Sequence, residues 1–197
     1  FGIALLPNVP ISSGTKKPAK DIKGQKMVFV VTAASKENGF IVPRRTMKYF
    51  QGLIQGLQIL SFEWLQDSLK YSRLLREKAY SAKGDRVGSG VSLRYTSGSE
   101  ELLIFKGITF HFHGKFTAPH EDLERLIKLG GGEVSGALGT RKSSQRQFLL
   151  FDPDERTLDA KVKEQIVRKG LCLVQVSWLF DSISQLSPVD VKASRKL

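Results

Sequence analysis

The sequence predicts an α/β protein built from two copies of one small fold, each a parallel sheet covered by helices. Three observations carry this. A segment repeats at a fixed offset. Short apolar runs alternate with helical periodicity. The length, 197 residues, suits two domains of about 90 to 100 residues.

The repeat pairs ILSFEWLQDSL at 59–69 with LVQVSWLFDSI at 173–183. An offset of 114 matches Trp64 with Trp178, Leu65 with Leu179, Asp67 with Asp181, Ser68 with Ser182 and Gly56 with Gly170. Two shared residues would be chance. Five, including a rare Trp in the same local grammar, indicate a duplicated domain.

The second copy reads as follows. Residues 102–112, LLIFKGITFHF, form a strand or strand pair. Residues 120–129 form a helix with Leu123, Leu126 and Ile127 on one face and Glu121 and Asp122 in its first turn. Gly130, Gly131 and Gly132 stop it. Residues 133–135 form a brief strand, and 145–151 a longer one ended by Pro153. Residues 155–169 are helical, with Leu158, Val162, Ile166 and Val167 facing inward. Gly170 caps that helix, residues 171–174 form a buried strand, and 177–185 close the domain. The order β-α-β-β-α-β-α implies a small parallel sheet covered on both faces.

The first copy gives the same order from its middle onward. Residues 27–33 form a strand. Residues 44–55 form a helix with Met47, Phe50, Leu53 and Ile54 on one side, ended by Gly56. Residues 57–60 form a strand and 62–70 the closing helix. Before residue 27 the match fails. PNVPISSGTKKPAKDIKGQK is a poor helix former with three prolines. Residues missing from the record between Pro7 and Lys26 are therefore expected. Residues 81–101, rich in Gly and Ser, read as a linker in which 91–95 alternates. The expected boundaries are 1–83, a linker at 84–101, and 102–197.

Hydrophobic residues at 41% and charged residues at 25% exclude global disorder. The net charge is +12, split +8 over residues 1–101 and +4 over 102–197. Part of the first excess lies in Lys16, Lys17, Lys20, Lys23 and Lys26, which reads as a solvated loop or as a weak contact to DNA or a histone tail. Cys172 is the only cysteine, which excludes an internal disulfide and a cysteine-based zinc cluster and favours a reducing compartment. No run reaches the roughly 18 apolar residues of a membrane span. The start lacks both the basic flank of a signal peptide and an initiator Met, so a fragment of a longer protein is expected.

The Trp in each closing helix, the Gly before each buried strand and the tandem arrangement resemble a BRCT pair. The segment Arg45-Thr46-Met47-Lys48-Tyr49-Phe50, followed by Gly52, Gly56 and Trp64, is similar to the tandem BRCT family of the breast-cancer susceptibility ubiquitin ligase and of DNA-damage checkpoint mediators. FKGITFHFHGKFT at 105–117 is similar to the start of that family's second repeat. The resemblance covers about residues 27–80 and 102–186. It implies two small four-stranded parallel sheets flanked by helices and packed head to tail. It also implies recognition of a phosphoserine peptide, such as a phosphorylated histone tail, at the junction in a nuclear DNA-damage-response protein.

The resemblance assigns the phosphate cation to Lys48, a backbone contact with the third residue after phosphoserine to Arg45, and a wall of that residue's pocket to Phe50, with Thr46 beside them in the specificity groove. Phe180 falls where the family has an aliphatic wall. Three departures stand out. The hydroxyl-Gly step after the first strand has no clean match, and Ser12, Ser13 and Gly14 are the best candidates for it. Val176 stands where the family has an Arg. The family's Asn-Met pair is reduced to about Ala118.

The residues themselves are consistent with this. Lys48 lies about 100° around the helix from Met47, at the edge of the apolar stripe. Alone it reads as a solvated lysine. A phosphate needs a cation plus fixed donors. Ser12, Ser13 and Gly14 read equally as donors or as an ordinary loop. Arg44 and Arg45 precede a helix whose dipole disfavours cations; they read equally as weak, exposed placement or as cations whose cost an anion or a peptide carboxylate nearby would offset. Copy two has Val162 at the place of Lys48, so only one repeat would carry a phosphate site. Trp64 and Trp178 read as core, Asp67 and Asp181 as local caps or ion pairs, and Cys172 as structural. His111 and His113 share a strand face, but two histidines are too few for a metal, and His120 follows Pro119 as a helix start. No catalytic motif is present, and Gly130 to Gly132 is a stop signal rather than a phosphate loop. No cofactor, metal, membrane partner or enzymatic activity is expected. The competing readings are a phosphate-independent interaction pair and a basic DNA-contacting module.

Overall fold

A computed structural model describes residues 29–32, 34–37, 40–88, 103–136, 146–152 and 160–191. The chain divides into two compact units, Phe1–Glu100 and Glu101–Leu197.

The second unit contains β5 (Ile108–His113), α3 (His120–Leu129), β6 (Glu133–Val134), β7 (Arg146–Phe151), α4 (Ala160–Lys169), β8 (Cys172–Gln175) and α5 (Val176–Gln185). Its four strands form a parallel sheet in the order β6-β5-β7-β8. Parallel strands need crossover connections; α3 lies in that from β5 to β6 and α4 in that from β7 to β8. The core is aromatic. Phe148 and Trp178 stack edge-on at 5.0 Å, Phe105 and Phe110 at 5.4 Å, and Phe110 and Phe148 at 5.8 Å. Leu123, Leu126, Ile127, Leu179 and Ile183 are fully buried with them. Each such ring pair adds about 0.5–1.5 kcal/mol beyond area burial.

Two expectations are corrected here. The strand expected over 102–112 begins only at Ile108. Residues 104–107 turn instead, with Gly107 at φ 75°, and the Phe105 N–H donates to the Gly130 carbonyl at 2.7 Å. Phe105 is thereby a core plug rather than a strand residue. A Cβ at Gly130 would meet the Phe105 ring, and one at Gly132 would lie 2.9 Å from Ile127 and 3.0 Å from Phe105. The glycines thus admit the plug as well as stopping α3. The second correction is Val167, expected inward but 82% exposed. It lies among Lys163, Glu164 and Arg168 on the open face of α4, whose half-buried residues include Val162 and Ile166. Leu158 lies outside the described residues.

The first unit contains β1 (Phe29–Thr32), β2 (Ala34–Glu37), β3 (Phe40–Pro43), α1 (Met47–Ile54), β4 (Gln58–Ser61), α2 (Phe62–Lys70) and a 3-10 turn, Glu77–Ala79. Among the described residues it has two separate two-stranded sheets, a parallel β1–β4 pair and an antiparallel β2–β3 hairpin, where a four-stranded parallel sheet was expected. The hairpin was not expected, and it explains why the repeat offset drifts. Gln58 and Cys172 are 114 apart, but their strand partners Phe29 and Phe148 are 119 apart. The five extra residues lie between β1 and α1, where the hairpin sits. The helix expected over 44–55 starts three residues later, because Thr46 is extended and its Oγ1 accepts the Tyr49 N–H at 3.3 Å. Residues 7–26, with the suspected gap, and the alternating stretch 91–95 lie outside the described residues.

From the helix caps onward the two units repeat each other at the 114 offset. Gly56 and Gly170 both take positive φ, 70° and 62°, and Leu57 and Leu171 each donate an N–H back to the residue five before, Gly52 and Ile166. Trp64 Nε1 donates to the Leu75 carbonyl at 2.9 Å, and Trp178 Nε1 to that of Val189 at 2.9 Å. Ser68 Oγ accepts the Leu75 N–H, and Ser182 Oγ the Val189 N–H. Even the rare left-handed residues match, Ser72 at φ 48° and Leu186 at φ 53°. Each closing helix therefore pins the stretch of chain that follows it with one indole donor and one hydroxyl acceptor.

Candidate functional site

The start of α1 gathers four of the residues singled out in the sequence. Tyr49, Phe50, Gly52, Leu53 and Ile54 are buried, so the helix presents Lys48 outward and the residue is exposed. Met47 and Lys48 are the first two helical residues, and their N–H groups belong to the turn that has no partners within a helix. Thr46 is exposed and caps the helix; Arg44 is exposed and Arg45 half-buried.

Of the two arginines before the helix N-terminus, half-buried Arg45 has a compensating anion. It comes from 40 residues further along the chain. Asp85, whose side chain is 0% exposed, places Oδ2 3.4 Å from Arg45 Nε. Its Oδ1 accepts the N–H groups of Val87 at 2.7 Å and Gly88 at 2.9 Å. The Arg45 guanidinium carbon also lies 5.3 Å from the Phe50 ring centroid, a cation–π arrangement. The Tyr49 hydroxyl is pushed up by burial first and by the Asp85 charge second, with Arg45 opposing. Asp85 returns to α1 because residues 80–82 run back along β4. Ser61 N–H donates to the Tyr80 carbonyl at 2.9 Å, and Ala82 N–H to that of Ile59 at 3.0 Å. Tyr80 is itself held by Asp67, at 2.7 Å, which raises its hydroxyl pKa to about 12.

Phe50, expected as a pocket wall, is 2% exposed, with Tyr49 and the Arg45 guanidinium as ring neighbours. Ala118 is half-buried in the connection from β5 to α3, beside Thr117, whose N–H donates to Asp152 Oδ2 at 2.9 Å. Val176 and Phe180 are half-buried on α5, four residues apart and so on one face. Ser12, Ser13 and Gly14 lie outside the described residues. Sequence reasoning missed Asp85, assigning it to a linker. The signal was present in Gly84-Asp85-Arg86-Val87-Gly88, since an Asp followed by available N–H groups two and three residues on favours a side-chain-closed turn.

The histidines do not converge on a metal. His111 is buried, with Nδ1 2.9 Å from the Ser135 carbonyl. Burial lowers its pKa, the Ser135 bond opposes this, and Lys169 lowers it further. His120 packs on Phe112, ring centroids 4.0 Å apart. Among the described residues no three His, Cys, Asp or Glu side chains group as metal ligands.

Comparison with known proteins agrees with this architecture. Residues 103–193 match the BRCT domain family, whose members are interaction modules. The chain is 31% identical over 155 residues to the rat breast cancer type 1 susceptibility protein homolog, covering 76% of this chain and 8% of that protein. It is 30% identical over 189 residues to the Arabidopsis thaliana BRCA1-associated RING domain protein 1, covering 81% of this chain and 26% of that one. The chain thus spans about a quarter or less of these relatives. The BRCT5-BRCT6 domains of S. pombe Brc1 superpose with a TM-score of 0.52 at 17% identity, covering 75% of this chain and 76% of that one. Rtt107p, solved in complex with a phosphorylated histone, superposes with a TM-score of 0.51 at 15% identity, covering 76% of this chain and 70% of that one. Residues 103–193 are a BRCT domain, and the chain is a tandem BRCT protein.

Proposed function

We propose that this chain is a phosphoserine-peptide binding module of a nuclear DNA-damage-response protein and that it acts by binding rather than by catalysis. The observation that carries the reading is Lys48. It is an outward ammonium in the first turn of a buried helix, beside the N–H groups that a helix start offers to an anion. A phosphoserine brings nearly two negative charges and three acceptor oxygens, which suits one cation and a few fixed donors. Ser12, Ser13 and Gly14 are the donors assigned to complete the set. The Rtt107p complex supports a phosphorylated histone tail as one ligand of this kind.

A mixture of phosphoserine peptides that includes a phosphorylated histone tail tests the reading, with an unphosphorylated twin of each. The chain should retain a subset of the phosphorylated members and release them after phosphatase treatment. Equal retention of the twins would favour a phosphate-independent interaction pair, for which Val176 in place of the family's Arg is the motive. Retention of duplex DNA instead, falling steeply with salt, would favour a basic DNA-contacting module.

A further inference from the structure

We infer that Asp85 is a positioning residue for peptide binding: through Arg45 it fixes the start of α1, and with it the place of Lys48. The inference rests on the phosphopeptide reading above and adds a residue that touches no ligand. Its physical basis is a chain of fixed contacts. The Asp85 carboxylate is fully buried, and Oδ1 is held by two backbone N–H groups, so the anion has little freedom. Arg45 Nε lies 3.4 Å from the other oxygen, and the guanidinium carbon lies over the Phe50 ring. Arg45 is thus held at two points, by a carboxylate from outside the helix and by an aromatic ring one turn into it.

The backbone continues this restraint. Thr46 N–H donates to the Arg44 carbonyl at 2.9 Å, and Phe50 N–H to that of Thr46 at 3.1 Å. With the Thr46 cap, the chain from 44 to 50 has one defined path. Lys48 sits in the middle of it. A lysine is a flexible point charge, so its geometry toward a phosphate is set by where its backbone is held. A cation held in place before binding loses less on association than one that must be ordered.

The sign of the effect separates this from simple electrostatics. Asp85 is an anion close to a proposed anion-binding helix start. By charge alone, removing it should tighten phosphopeptide binding. As a positioning residue, its neutralisation should weaken binding.

The experiment uses the whole chain and the tightest-binding phosphoserine peptide from the mixture above, titrated well below the unfolding temperature. Asp85→Asn keeps an Oδ1 acceptor for Val87 and Gly88 while removing the charge that pairs Arg45. The expected result is a weakening of about tenfold, with Arg45→Gln showing a similar loss and the double variant no further loss. Affinity for the unphosphorylated twin should hardly change, a phosphate-specific loss that a merely structural role would not produce. If Asp85→Asn fails to fold, Arg45→Lys serves, since it keeps the cation and removes the Nε that faces Asp85. It should weaken the phosphorylated peptide about tenfold and its unphosphorylated twin hardly at all. Unchanged or tighter binding by the single variants, or fully additive losses, would overturn the inference and leave the phosphopeptide reading standing. If the unsubstituted chain bound no phosphopeptide, both would fall together.

Discussion

Helices α1 and α4 occupy the same place in the two repeats, yet their surfaces are opposite in character. Both end in a glycine of positive φ, and both lead into a strand at the 114 offset. On α1, Tyr49, Phe50, Leu53 and Ile54 are buried; their counterparts Lys163, Glu164, Val167 and Arg168 are all exposed. At the remaining position of interest the contrast reverses. Lys48 is exposed where Val162 is half-buried. The duplicated scaffold therefore lies in the caps, the β4 and β8 strands and the closing helices. The middle helix is the part the two repeats have specialised, and only the first repeat combines a buried body with an outward cation. Asp85 and the β2–β3 hairpin belong to that same specialised region.

The largest test of the shared scaffold is Trp64→Ala beside Trp178→Ala. Each removes a buried indole and leaves a carbonyl, of Leu75 or Val189, without its donor. Each should cost about 3–5 kcal/mol in denaturant unfolding. Trp178 packs against the rings of Phe105, Phe110 and Phe148, and Trp64 shares a cluster with Leu60, Leu65, Leu74, Leu75 and Tyr80, so the two losses should be of similar size. A negligible effect at either position would break the equivalence of the repeats.

The difference between the middle helices is sharpened by a matched pair. Leu53→Ala, at a residue 1% exposed, should cost about 2–4 kcal/mol. Val167→Ala, at 82% exposure, should change stability by less than about 0.5 kcal/mol, and in the favourable direction, since alanine is the better helix former. Comparable losses at the two sites in thermal unfolding would contradict that contrast. The closest agreement between the repeats is expected for Ser68→Ala against Ser182→Ala. Each removes the hydroxyl that accepts the Leu75 or Val189 N–H, so each should cost about 1–2 kcal/mol, and the two should agree closely in the same unfolding assay.

Much of this was legible in the sequence because it is local. The Trp-Leu-x-Asp-Ser repeat located both closing helices. The Leu123, Leu126, Ile127 spacing with its glycine stop located α3 to the residue. What was not legible depends on distant partners. Val167 looked inward by periodicity, but three charged neighbours on its face place it in water. Residues 102–107 looked like strand by composition, yet Phe105 is buried by a turn that Gly130 and Gly132 make room for. At the site, Lys48 and Arg45 were legible from the family-like segment. An anion or a peptide carboxylate beside Arg45 was one of two readings. Its source was not legible, because Asp85 reaches α1 only after residues 80–82 run back along β4. Side chains 40 residues apart leave no periodic trace.

The central claim is that one outward ammonium on α1 makes binding depend on phosphate. Calorimetric titration of the unsubstituted chain and of Lys48→Met with a phosphoserine peptide and its unphosphorylated twin tests it most directly. The expected result is a clear preference for the phosphorylated peptide that shrinks by at least about tenfold on substitution, with no loss of folded stability. Equal affinities for the two peptides, or a preference that survives the loss of Lys48, would contradict it.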